Sequence, residues 1–426
     1  MSSLIERDRK TVWHPYSDKD LYGIPVPVAS ASGSCIIDQN GKKYIDAISS
    51  WWTTIHGHSH PHIAECVGNQ LKKLDHVIFS GFTHEPAVVL AGKLLSRLPS
   101  NQSKLFFSDN GSTAVEVALK MAIQYGYNKG QPRKKVLAFK NSYHGDTFGA
   151  MSVSERGAFT EPFRSFLFDV DYIDVPLKGQ EATVLQELKN RCSGKMASAY
   201  ACFIFEPLVL GTAGMLMYEP GILSEMLAVC RENSILTIAD EVMTGFGRTG
   251  TFFACDQIQE KPDLFCLSKG LTGGTMAMGI TSSSADIYES FERNGTSAFF
   301  HGHSYTANPI ACAAAIGSLE VFERTDVFAS VDLISRMHSK FASGLTGNPK
   351  VVEARSKGTI LAIQLKTSGV TSYFNDLRKR AYAFFISKGI LMRPLGNIIY
   401  VLPPYCISES ELKSIYASIE EFLTTL

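Results

Sequence analysis

Three stretches of the sequence put reactive side chains where an apolar run ends. ILTIADEV (235–242) closes on Asp240 and Glu241, LFCLSKG (264–270) closes on Ser268 and Lys269, and KLFFSD (104–109) runs into Asn110-Gly111-Ser112-Thr113. Each has an ordinary reading: surface punctuation for the acid, a lysine reaching out from a sheet edge, a plain helix cap. Each also has a chemical one. A lysine directly after a buried run meets surroundings that lower its pKa and make it an amine nucleophile. An acid at a run's end can hold a cationic ring nitrogen; at about 4 Å and an effective dielectric near 20 the pair is worth on the order of 4 kcal/mol. That raises the nitrogen's pKa by roughly three. Small residues at a helix start leave backbone N–H groups for a phosphate.

An amine for an aldehyde, an acid for a ring nitrogen and a cup for a phosphate are the three handles of pyridoxal 5′-phosphate (PLP). Each signal is weak alone, and their joint occurrence is far more specific. A further stretch, SSWWTTIHGHSHPHI (49–63), suggests different chemistry. It holds Trp51 and Trp52, then His56, His58, His60 and His62 in alternation. H-x-H spacing can present two metal ligands on one strand face. Gly57 and the Ser59-His60-Pro61 turn interrupt any regular strand, and no matching Cys, Asp or His motif accompanies them. No metal is therefore expected, and the histidines read as loop residues bonding the nearby backbone. Burying each tryptophan is worth roughly 4–6 kcal/mol by area, so the adjacent pair reads as the apolar wall of a cavity.

These groups need a scaffold that gathers the run ends. Continuous apolar runs suit strands buried on both faces of a parallel sheet covered by helices, and such sheets bind ligands at the strands' carboxyl ends. KKVLAFK (134–140) and ACFIFEPL (201–208) are further strands of this kind, and Val115, Ala118, Leu119 and Ala122 share one helix face. The expected architecture is α/β. A large domain over 55–325 carries the mainly parallel sheet, and a smaller α+β domain follows over 326–426. The latter has helices around 328–345 and 409–424 and strands at 359–365 and 398–402. An N-terminal segment, 1–54, is expected to pack with the small domain. Within it GSCIIDQNGKKYIDA (33–47) reads as a hairpin turning at Gln39-Asn40-Gly41.

Lys+Arg and Asp+Glu are both 41, so no nucleic-acid footprint or basic membrane surface is implied. No apolar run reaches bilayer-spanning length, and MSSLIERDRK lacks the apolar core of a signal peptide. The nine cysteines form no C-x-x-C pair, which fits reduced thiols and a cytoplasmic location.

IADEVMTGFGRTGTFFACD (238–256) followed by PDLFCLSKGLTGG (262–274) resembles the signature of the class III aminotransferases, a family of fold-type I PLP-dependent transferases. VWHPYSDKD (12–20), SGFTHEPAVVLAGKLL (80–95), GSTAVEVALKMAIQY (111–125), YHGDTFGAMSV (143–153), FEPLVLGTAGMLMY (205–218) and RPLGNIIYVLPPY (393–405) extend the resemblance over nearly the whole chain. The Trp-Trp pair and the His-Pro-Tyr entry favour one branch, which transfers an amino group to 8-amino-7-oxononanoate.

The resemblance implies that Lys269 bonds the cofactor and carries the proton, and that Asp240 holds the ring nitrogen. It implies Val242 and Tyr143 on the two ring faces and Gly111 and Ser112 on the phosphate. It further implies a homodimer in which the loop HGHSYTANP (301–309) reaches the neighbouring subunit's phosphate. His303 and Ser304 stand there where the family pattern has Pro-Thr, and Ser304 keeps the hydroxyl. Tyr16, Trp51, Trp52, Tyr143, Lys269, Gly302 and Arg393 are implied to contact substrate, with Arg393 suited to a carboxylate. The donor implied is S-adenosylmethionine, with lysine as the alternative. Arg248 is read as structural, and Glu206 is assigned no chemistry. Rival readings are another class III ω-aminotransferase, a PLP aminomutase and a zinc hydrolase built on the histidines.

Overall fold

The computed structural model describes residues 3–16, 23–193, 197–292, 295, 297–367, 369 and 373–426. Residues 17–20 of the VWHPYSDKD stretch lie outside them. The chain divides into two compact units, Pro61–Val331 and Met1–His60 with Asp332–Leu426.

The unit Pro61–Val331 is built on a seven-stranded sheet. Its strands are β1 (Gln102–Ser108), β2 (Lys135–Phe139), β3 (Val170–Ile173), β4 (Tyr200–Phe205), β5 (Leu236–Asp240), β6 (Leu264–Leu267) and β7 (Gly279–Ser284). Their spatial order is β1-β7-β6-β5-β4-β2-β3. Strand β7 runs antiparallel to both its neighbours, and every other pair is parallel. The mainly parallel α/β sheet expected from the apolar runs is present. All six residues of β4 and all four of β6 are buried, as strands covered on both faces must be. On one face the helix Gly111–Asn128 packs Val115, Ala118, Leu119 and Ala122 into a core shared with Val136, Ile204, Ile238 and Cys266.

Two strands of this sheet carry no apolar run. GITSSS forms β7 because its buried hydroxyls find partners: Thr281 Oγ1 donates to Ala114 O at 2.7 Å, and Ser282 Oγ donates to Gln102 Oε1. VDYI forms β3 as a short edge strand beside β2. Periodicity alone marks neither.

In the other unit the expected hairpin pairs Cys35–Asp38 with Lys43–Asp46. Asp38 Oδ1 accepts the N–H groups of Asn40 and Lys42 at 2.8 and 2.9 Å, which fixes the turn. Lys43–Asp46 then runs parallel to Ile390–Leu391, with Asp46 opposite Leu391. Val351–Lys357, Ile360–Leu365 and Ile398–Val401 form an antiparallel three-stranded sheet. The helix Glu409–Thr424 opens with a capping box between Ser408 and Glu411 and buries Leu412, Ile415, Ile419 and Phe422. Among the described residues, no helix is long and apolar enough to cross a membrane.

Candidate active site

Four adjacent parallel strands of the large sheet deliver side chains at their carboxyl ends. Asp240 is the last residue of β5, Lys269 follows β6, Glu206 follows β4, and Tyr143 and His144 follow β2. Asp240 is buried, and its Oδ2 lies 2.7 Å from His144 Nδ1. Its Oδ1 accepts the Val242 N–H at 3.1 Å, so the turn after β5 also fixes Val242. Glu206 accepts the Tyr143 N–H at 3.0 Å through one oxygen and the Gly211 N–H at 2.9 Å through the other. One buried carboxylate thus anchors the Tyr143 backbone. Glu241, next to Asp240, takes no part in this cluster. It binds the Thr244 hydroxyl and the Ala254 and Cys255 N–H groups, holding the segment after β5 in place.

Lys269 opens a short 3₁₀ turn with φ +45°, a conformation that only firm surroundings impose on a non-glycine residue. Ser268 Oγ, donating to Met278 O at 2.7 Å, is one such anchor. The Lys269 ammonium pKa is lowered, first by burial; Asp240 and Glu206 oppose this and Arg248 adds to it. A lysine so placed yields its free amine more readily than a surface lysine. Burial pushes the Glu206 carboxyl up to about 7, with His144 opposing and Asp240 adding. Arg248 is fully buried, and its charge acts on Lys269. Neither Arg248 nor Glu206 was given chemistry by the sequence reading, and His144 escaped it altogether. The tripeptide Tyr143-His144-Gly145 was the available signal, since a histidine beside a candidate site tyrosine shares its loop.

The stretch after β1 serves as a helix cap and exposes the first backbone N–H groups of the helix. Asn110 Oδ1 accepts the Thr113 N–H at 3.0 Å, and the first intrahelical bond runs from Ala114 N to Asn110 O. The N–H groups of Gly111 and Ser112 lie ahead of that bond, at the positive end of the helix. Two glycines let neighbouring groups pack closely against the helix start. A Cβ on Gly111 would lie 2.8 Å from Val242 Cγ1, and one on Gly145 would lie 2.1 Å from Ser112 Oγ. The Asp146 N–H donates to Ser112 Oγ at 3.2 Å, so the loop after β2 and the helix start meet here.

The loop 301–309 gives His303 a structural task. Its Nδ1 accepts the Tyr305 N–H at 3.2 Å, while Thr306 bonds the His303 backbone on both sides. Gly302 and Ser304 are exposed.

In the unit Met1–His60 with Asp332–Leu426, Tyr16, Trp51 and Arg393 come together. The Arg393 guanidinium carbon lies 4.1 Å from the Trp51 ring centroid, and Tyr16 meets Trp51 edge-on at 5.5 Å. Trp52 has a different environment. It is 5% exposed, stands edge-on to Tyr400 and donates its indole N–H to the Tyr400 hydroxyl at 3.1 Å. Trp51, at 37% exposed, offers far more surface to a ligand.

His58 and His62 are not the backbone-bonding loop residues expected. His58 Nε2 lies 2.8 Å from Asp46 Oδ2, and His62 Nε2 lies 2.6 Å from Glu320 Oε2. Both bond carboxylates, and His62 sits on the helix Pro61–Lys73. Among the described residues, His62, Cys66 and Glu320 bring three possible metal-ligand atoms within 4.8 Å of one another. Glu320 is too distant in sequence for any motif to reveal. Arg324 approaches His62 Nδ1 at 3.1 Å and Glu320 Oε2 at 3.3 Å, so a cation already serves this group.

With this geometry described, comparison with known proteins is informative. The family model for aminotransferase class-III matches residues 16–423. The chain is 45% identical to the adenosylmethionine-8-amino-7-oxononanoate aminotransferase of Synechococcus elongatus over 97% of this chain and 98% of that one. The crystal structure of the Methanocaldococcus jannaschii protein of the same name has a TM-score of 0.93 at 35% identity, covering 98% of each chain. An omega transaminase from Pseudomonas jessenii, solved in complex with PMP, has a TM-score of 0.93 at 26% identity, covering 100% of this chain and 99% of that one. With the family model spanning residues 16–423 and these relatives covering nearly the whole length, the chain belongs to the class III aminotransferase family.

Proposed function

We propose that this protein transfers an amino group from S-adenosylmethionine to 8-amino-7-oxononanoate, giving 7,8-diaminononanoate, with PLP as cofactor. The single observation that carries the reaction class is Lys269 and Asp240 at the ends of neighbouring parallel strands, with the lysine's pKa lowered. The acceptor is supported by the 45% identity with a protein of that name and by Trp51 beside Arg393.

The residues fit PLP on two observations. Gly111 and Gly145 let Val242 and the loop after β2 close in on the helix start, whose N–H groups at Gly111 and Ser112 suit a phosphate. Asp240, buried and backed by His144, presents a carboxylate suited to a protonated ring nitrogen. Bound there, PLP supplies the electron sink that lets the amino group leave one carbon and join another. Lys269 Nζ takes the proton from the amine-bearing carbon of the donor and later delivers one to C7 of the acceptor. Asp240 keeps the ring nitrogen protonated, and His144 holds Asp240 in position. Val242 and Tyr143, the first set by Asp240 and the second by Glu206, would hold the ring. Gly111 and Ser112 bind the phosphate.

Arg393 pairs with the acceptor's carboxylate, Trp51 and Tyr16 line its chain, and Trp52 contributes through the small part of its ring left exposed. Gly302 contacts substrate, and His303 shapes the loop that carries Ser304. A homodimer is part of this proposal, with the exposed hydroxyl of Ser304 reaching the phosphate held by a second copy. The lysine-donor alternative is separated by experiment: purified protein loaded with PLP is mixed with each donor in turn, and the absorbance of the bound cofactor is followed. S-adenosylmethionine is expected to convert it. Conversion by neither donor contradicts the proposed step.

A further inference from the structure

The turn that carries Trp51 has an unusual backbone. Ser49 (φ +50°), Ser50 (φ +59°) and Trp52 (φ +67°) all lie in the left-handed region within four residues and without a glycine. Such conformations persist only where surrounding contacts over-determine them, and they cluster at functional sites. The contacts here converge on Asp46. Its carboxylate is fully buried and accepts three donors: the Ile48 N–H at 3.1 Å, the Ser50 N–H at 2.6 Å and His58 Nε2 at 2.8 Å. His58 is pinned in turn, its backbone exchanging hydrogen bonds of 2.8 and 3.1 Å with Gly33. Ser49 Oγ closes the turn from the other side, donating to Leu402 O at 2.8 Å.

Register explains what the turn aims at. Lys43–Asp46 lies parallel to Ile390–Leu391, with Asp46 opposite Leu391. The chain segments leading to Trp51 and to Arg393 therefore leave the same end of one strand pair. The Trp51 ring meets the Arg393 guanidinium at 4.1 Å. A carboxylate meets a guanidinium in its plane rather than through its faces, so a stacked Arg393 keeps its fork while losing freedom to swing.

We propose that Asp46, with His58, is the positioning residue that sets Trp51 over Arg393 and thereby tunes binding of the carboxylate-bearing acceptor. This rests on the assignment of Trp51 and Arg393 to that acceptor. Asp46 touches no substrate and acts only through the turn.

The test is steady-state kinetics of the holoenzyme, with acceptor varied at saturating donor. Asp46→Asn keeps the volume but turns an amide N–H towards a group that now donates. His58→Gln removes the ring and leaves the carboxylate. Each variant is expected to raise the acceptor KM about ten-fold, with kcat within about two-fold and the bound-cofactor spectrum unchanged. Loss of kcat at unmoved KM, or no change in either constant, overturns the proposal. If Asp46→Asn does not fold, His58→Gln decides alone by the same criteria. Trp51→Ala and Arg393→Ala are measured alongside. If these raise the acceptor KM and the Asp46 and His58 variants do not, positioning alone is refuted. If they leave it unmoved, the acceptor assignment is refuted and positioning falls with it.

Discussion

His144 Nδ1 lies 2.7 Å from Asp240 Oδ2, with both residues buried. A carboxylate can only accept, so facing one Nδ1 carries the proton, and the acid at the end of β5 is held in position. Asp240→Asn removes a charge pair worth on the order of 4 kcal/mol. The variant is expected to lose kcat about a thousand-fold. His144→Ala removes a hydrogen bond to a charged group and is expected to cost about ten- to a hundred-fold. Single-turnover rates with S-adenosylmethionine check both, and a His144→Ala rate equal to wild type contradicts the assigned support.

Lys269→Ala removes the amine that carries the proton. Turnover is expected to fall by roughly a thousand-fold or more. PLP remains able to bind through the phosphate cradle and Asp240, so dialysis and ultraviolet absorbance should still detect it. Wild-type turnover in this variant would be incompatible with the mechanism.

Arg393→Ala bears on the acceptor carboxylate. Its loss is expected to raise the acceptor KM about ten- to a hundred-fold, with donor half-reaction rates little changed. Stopped-flow measurement of the two half-reactions separates these effects, and equal losses in both would reassign Arg393.

Glu206 gives pH dependence a sign. Its carboxyl titrates at 4.5 by default and at about 7 in the fold, where burial favours the neutral form. The folded chain therefore binds the extra proton between these values, and this group's contribution to stability is lost as pH rises from about 4.5 to about 7. Glu206→Gln removes that dependence. The melting temperature of the variant, relative to wild type, is expected to improve as pH is raised from about 5 to about 8. A constant difference across that range contradicts the raised carboxyl pKa.

Much of the sheet was legible because β1, β2, β4, β5 and β6 are apolar runs with polar punctuation, and the punctuation itself carries the chemistry at Asp240 and Lys269. Strand β7 was not legible, because its serines and threonine are buried only where Ala114 O and Gln102 wait for their hydroxyls. His144 was hidden for a similar reason: its partner, Asp240, lies 96 residues away, and the two meet only at the carboxyl ends of β2 and β5, on either side of β4. The tryptophan pair reads as one apolar wall, whereas in the fold the two rings have different surroundings. No spacing rule foretells three left-handed residues held by Asp46, which separate an exposed Trp51 from a buried Trp52.

The most direct measurement is product formation by the purified protein loaded with PLP and given S-adenosylmethionine and 8-amino-7-oxononanoate. The account predicts 7,8-diaminononanoate in an amount equal to the acceptor consumed, and none from Lys269→Ala. Consumption of neither substrate, or product formation by Lys269→Ala at the wild-type rate, would contradict it.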